Sequence, residues 1–152
     1  MNWKLIVVGG VVFYVVMLVI SFATGPVIHQ RILDEAYRET IDFWQPALQH
    51  DPPDMGALMP RWIISGVIGS LILAAIYGCV RPAFSGPGWR RGLWYGLILC
   101  GFGIVFILGW SGVFYLPNKI WIWWAVEQFF YYLPAGAALG AVAQKLAPLS
   151  TG

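Results

Sequence analysis

Trp121-Ile122-Trp123-Trp124-Ala125-Val126-Glu127-Gln128-Phe129-Phe130-Tyr131-Tyr132-Leu133-Pro134-Ala135-Gly136 joins an apolar run, a dense aromatic cluster, a proline and one carboxylate. Small residues continue the run as far as Gln144. A helix needs about 20 mostly apolar residues to cross the hydrocarbon of a bilayer. The stretch 119–144 has that length, so Glu127 is the one acidic side chain that a membrane-spanning reading puts inside the bilayer.

The rest of the composition agrees with a membrane reading. Of the 152 residues, 59% are hydrophobic and only 11% charged, against about 25% charged in soluble domains. The mean hydropathy is +0.72. So few charges cannot cover a water-exposed surface of this size, which excludes a soluble globular domain. The formal charge of +2 and the scatter of the basic residues give no footprint for a nucleic-acid partner. Cys79 and Cys100 both fall in apolar runs with no metal-ligand spacing, and read as small buried apolar side chains. No metal site and no catalytic residue is assigned, and nothing fixes a cofactor. The chain is expected to be all-α, a single polytopic membrane bundle over 1–152 with four transmembrane helices and an outer amphipathic helix.

Working outward, the first span covers about 3–24. Its apolar run is longer than the core of a signal peptide, and Ser21-Phe22-Ala23-Thr24 is a poor cleavage site. Gly25-Pro26 ends or kinks it, with Pro26 suited to the first turn of a new helix. From 27 to 44 the pattern turns amphipathic. Ile28, Ile32, Leu33, Ala36, Tyr37, Ile41 and Trp44 share one helical face. Arg31, Asp34, Glu35, Arg38, Glu39 and Asp42 share the other, with Arg31–Glu35, Asp34–Arg38 and Arg38–Asp42 as opposite charges at four-residue spacing. Such a helix lies in the interface or caps the bundle. Pro46, Pro52, Pro53, Gly56 and Pro60 then break the chain.

The second span, about 61–80, carries Gly66, Ser70, Ala74 and Gly78 four residues apart, and Ser65 with Gly69 beside them. Stripes of small residues let helix backbones approach closely in a membrane. Gly86-Pro87-Gly88 turns the chain into a third span, about 92–114, with a second seam at Gly92, Gly96, Cys100 and Gly103. The short loop Tyr115–Lys119 makes this span an antiparallel neighbour of the fourth, 119–144, in which Gly136 and Gly140 face away from Glu127. Basic residues set the orientation. Lys4, Arg81, Arg90, Arg91 and Lys145 fall on one side, against Arg31, Arg38, Arg61 and Lys119 on the other. The three clustered arginines favour both termini in the cytoplasm. Six of the seven acidic residues then lie outside, in 25–60.

Glu127 is the main candidate site. A carboxylate inside the bilayer must face the bundle or water, pair with a cation, or stay protonated. That fits either a proton, cation or polar-ligand site or a structural carboxyl bonded to neighbouring polar groups. His29 lies at a depth from which it can reach Glu127, and Tyr131 and Trp124 share the Glu127 face. Pro134 removes a bond to the carbonyl of Phe130 and is expected to kink the helix. Trp121, Trp123 and Trp124 read as an interfacial belt, and Phe129 to Tyr132 as deeper packing or the lining of a flat hydrophobic-ligand pocket.

The succession of parts in this chain resembles that of small uncharacterised bacterial four-span membrane proteins. The residues that carry it are the turn Gly25-Pro26-Val27-Ile28-His29, the run Arg91-Gly92-Leu93-Trp94-Tyr95-Gly96-Leu97 after a basic turn, and a last helix bearing Trp and Glu. It implies the four-span architecture and a bacterial inner-membrane setting, and no activity. Two functions follow from the residues. One is a non-enzymatic accessory or assembly subunit of a larger membrane complex, contacting lipids and other membrane chains through its seams and aromatic surfaces. The other is a small carrier, channel or hydrophobic-ligand binder built on Glu127 beside Pro134.

Overall fold

A computed structural model describes residues 2–149. Among them the regular structure is entirely helical. Five α-helices run in order: α1 (Trp3–Val27), α2 (Asp34–Glu39), α3 (Met55–Val80), α4 (Gly88–Trp110) and α5 (Asn118–Leu146). Three helical stretches, Trp3–Ile32, Met55–Ala83 and Gly88–Trp110, are long and apolar enough to cross a membrane. With 29 residues α5 matches them in length, but Lys119, Glu127, Gln128 and its Trp and Tyr side chains lower its hydropathy.

Helix starts follow local chemistry. The Asn2 side chain accepts from the Leu5 N–H at 3.2 Å and opens α1. Asp54 does the same for the Ala57 N–H at the head of α3. That cap starts α3 six residues earlier than the expected span, leaving Pro60 inside the helix instead of breaking the chain ahead of it.

The helix does not end at Gly25-Pro26. Pro26 is inside α1, which then loosens into one π-helical turn over Ile28–Ile32, closed by Leu33 N–H to Ile28 C=O at 2.9 Å. The amphipathic segment 27–44 is therefore not one helix. It is the π turn, the six-residue α2 and a short 3-10 turn over Ile41–Phe43. Folding back over the bundle end is what breaks its period. Of the three expected ion pairs, Arg38–Asp34 closes, at 2.9 Å. Ile28, Leu33 and Ala36 still face inward, against Leu116, Ile120 and Trp121.

The bundle is ordered α3, α1, α5, α4, with antiparallel neighbours. The seam in α3 meets α1: Ser70 and Ala74 are buried, and a Cβ on Gly66 would lie 2.5 Å from the Tyr14 ring. Gly10 of α1, absent from the expected seams, has Leu71 backbone 3.0 Å from where its Cβ would be. Ser65 and Gly69 form no seam, because Ser65 is exposed and Gly69 faces open space.

The tightest contact joins α4 to α5. A Cβ on Gly92 would collide with the Gly136 carbonyl, one on Gly96 with the Tyr132 carbonyl, and one on Gly140 with the Gly88 carbonyl. The backbones touch because these residues have no side chains. Further along, Cys100 Sγ donates to the Gln128 carbonyl at 3.1 Å. Cys79, by contrast, is exposed and is not a core residue. The ring closes where the Tyr95 hydroxyl donates to the Leu73 carbonyl at 2.9 Å, with Tyr77 packed on Tyr95.

Gly92→Ala forces a methyl into backbone and is expected to destabilise by roughly 1–3 kcal/mol, as overpacked cores do. Gly101→Ala, with open space at its Cβ, should be neutral or stabilising by up to about 1 kcal/mol. Thermal melts of the purified protein in mild detergent, followed by circular dichroism, compare the two.

Candidate functional site

Glu127 is 4% exposed, in the half of α5 nearest α2. One oxygen, Oε1, takes two donors. His29 Nε2 lies 3.0 Å away and the Tyr131 hydroxyl donates at 3.0 Å. Tyr131 follows Glu127 by four residues and so stands one turn along the same face. His29 arrives from the other side, on the π turn that extends α1.

The network continues through α2. His29 Nδ1 is 2.8 Å from the Tyr37 hydroxyl, and Trp124 Nε1–H donates to that same oxygen at 3.0 Å. A carboxylate only accepts, so His29 donates to Glu127 from Nε2. The direction of the bond between Nδ1 and the Tyr37 hydroxyl depends on the His29 tautomer. The chain runs from Trp124 through Tyr37 and His29 to Glu127, and Tyr131 completes the carboxylate.

Aromatic rings enclose the network. His29 stacks on Tyr37 with centroids 5.9 Å apart, Trp44 stands edge-on to Tyr37 at 5.2 Å, and Trp44 meets Trp124 at 6.1 Å. The Trp44 indole N–H donates to Thr40 Oγ1 at 3.1 Å. Burial pushes the Tyr37 phenol up to about 12; the Glu127 charge adds to the rise and the Trp124 hydrogen bond opposes it.

All four candidate residues thus converge: Glu127, His29, Tyr131 and Trp124. The surrounding aromatic residues depart from expectation. Trp121 is 4% exposed and packs with Ile28 and Leu33, so it is core and not an interfacial belt. It is pulled inward because α2 and the π turn cover it. Phe129 and Phe130 are exposed, at 42% and 45%, and are not buried packing residues. Pro134 is on an exposed position of an unbroken α5.

Two partners escaped the sequence reading. Tyr37 was one apolar-face residue among seven, although it was the only one carrying a hydroxyl. Trp44 ended the same face with an indole N–H, yet nothing in the spacing showed that the segment folds back to bring both over Trp124.

Chemically the site is a closed pair. His29, 36% exposed, is the less buried member of the pair. Beyond Tyr131 the buried layer is Phe13, Ala135 and Leu139. The Ser21 and Thr24 side chains of α1 also lie within hydrogen-bonding reach of Tyr131. No family model, curated protein or solved structure matches the chain.

Removing the carboxylate by Glu127→Ala leaves two donors without an acceptor and is expected to lower stability by about 1–3 kcal/mol. Glu127→Gln keeps an acceptor oxygen and should cost less. Urea unfolding in mild detergent ranks them. For Tyr37 the folded value lies above the ordinary 10.0, so the fold favours the neutral phenol. That contribution is complete below pH 10 and is lost as pH rises through about 12. Tyr37→Phe should remove one late phenol from the ultraviolet tyrosinate titration.

Proposed function

We propose that this protein is a non-enzymatic accessory or assembly subunit of a larger membrane complex, embedded by four spans. In this reading α5 is the fourth span. Its antiparallel register with α4, from Gly88 beside Gly140 to Cys100 beside Gln128, supports that. The basic cluster Arg81, Arg90 and Arg91 favours that end, and both termini, on the cytoplasmic side of a bacterial inner membrane. The segment 28–54 is then the outer cap.

One observation carries the subunit reading: the shape of the outward face of α4. Trp94, Ile98, Phe102, Phe106 and Trp110 follow one another four residues apart and are all exposed, Phe102 at 76%. Beside them runs Leu97, Gly101, Val105 and Gly109, with open space at both glycines. An aromatic ridge next to a glycine-notched groove is the relief into which a second helix packs. Lipid tails are as apolar as any helix, so relief, not hydrophobicity, distinguishes a protein partner. The occupant is a membrane-spanning helix of another chain.

The carrier reading loses ground on the same map. Glu127 is consumed by His29 and Tyr131, and two cavities lined in part by Arg81 lie at the opposite end of the bundle.

Protein extracted in gentle detergent is expected to migrate well above the 16.9 kDa of one chain plus its detergent belt. Gly101→Leu fills the notch without touching the fold and should return it to a monomer. A wild-type monomer across gentle detergents and nanodiscs would overturn the reading.

A further inference from the structure

At the end of the bundle opposite Glu127, α3, α4 and α5 enclose a cavity of about 240 Å³. Arg81, at the C-terminal cap of α3, and Arg91, in the first turn of α4, line it together with Tyr77, Gly88 and Gln144. The Nε atoms of Arg81 and Arg91 are both shut off from solvent and have no hydrogen-bond partner among the described residues. Buried polar groups are paired in the great majority of native sites, so two orphaned guanidinium nitrogens at one cavity need an explanation.

Among the described residues no acidic side chain answers their charge. Six of the seven acidic side chains lie in 34–54, and the seventh is Glu127, bonded to His29. None is at the arginine end. Arg81 is held by one nitrogen only, Nη1 to the Ala143 carbonyl at 3.2 Å. Arg81 and Arg91 bring two guanidinium groups to one cavity, and a guanidinium is the side chain whose planar fork can grip a phosphate bidentately. The N-terminus of α4 opens on the same cavity at Gly88, whose N–H is fixed by Gln144 Oε1 at 2.6 Å. Its partial positive charge adds to the same field. Water occupies about 30 Å³ in the liquid, so the cavity has room for a phosphoryl group.

We propose that the cavity between Arg81 and Arg91 is a binding site for a phosphate group, presented by a phospholipid headgroup or by a small phosphorylated solute. Both arginines sit where apolar helices end, which is headgroup depth if α3 and α4 span; only the lipid source rests on that reading. Arg90, one residue away, lines no part of the cavity and is exposed.

The test uses the full chain in nanodiscs of phosphatidylcholine, with two probes. One adds phosphatidic acid to the bilayer, and the other adds inorganic phosphate to the buffer. Native mass spectrometry reads bound lipid, and thermal unfolding reads both probes. Retention of phosphatidic acid with a raised midpoint supports the lipid source, and a raised midpoint with inorganic phosphate supports the solute. In either arm Arg91→Gln is expected to weaken binding at least tenfold, while Arg90→Gln, with the same change of charge, leaves it within twofold. Arg91→Lys keeps the charge, loses the planar fork and should fall in between; it also serves if Arg91→Gln fails to fold. No response of the parent protein to either probe would overturn the proposal. Equal losses in Arg90→Gln and Arg91→Gln would overturn it too, by reducing the effect to surface charge.

Discussion

A polar side chain shut away from water must find its partner inside the chain. Glu127, 4% exposed, is where that constraint acts most strongly. Its carboxylate is met by Tyr131 from its own helix and by His29 from the extension of α1. His29 in turn needs the π turn to face inward, and Tyr37 of α2 to fill its second nitrogen. One buried charge therefore determines how α1 ends, where α2 lies and why Trp44 and Trp124 close over both. Segment 28–44 is short of regular helix, and this polar chain, with the packing of Ile28, Leu33 and Ala36, holds it on the bundle.

The opposite end of α5 is built on a different principle. There the close contact with α4 comes from removing side chains. Gly88, Gly92 and Gly96 meet Gly140, Gly136 and the Tyr132 carbonyl with nothing between. α5 thus carries two faces, a polar one clasped by α1 and α2 and a bare one pressed on α4. Pro134 lies inside this helix on an exposed position.

Much of this was legible in the sequence. The membrane-length apolar helices follow from hydropathy and length, and the two glycine seams from four-residue spacing alone. His29 meeting Glu127 was a matter of depth along two helices, which 1.5 Å per residue is enough to estimate. The segment 27–44 was misjudged, because its period is helical while its path is not. A period reports which residues turn inward, and Ile28, Leu33 and Ala36 do turn inward, but it does not report that the chain bends between them. Trp121 was misread for the related reason that an interfacial tryptophan looks the same in sequence whether or not a cap covers it. The Ser65–Gly69 pair shows the converse: small residues at helical spacing also occur where nothing packs.

The central claim is that Glu127 and His29 act as one internal pair and not as two independent polar groups. A double-mutant cycle on folding stability tests it, with His29→Ala, Glu127→Ala and the double variant unfolded under the same conditions in mild detergent. Residues that share a hydrogen bond couple by about 0.5–3 kcal/mol. The account predicts a coupling in that range, with the double variant less destabilised than the sum of the singles. Additivity of the two single effects would contradict it.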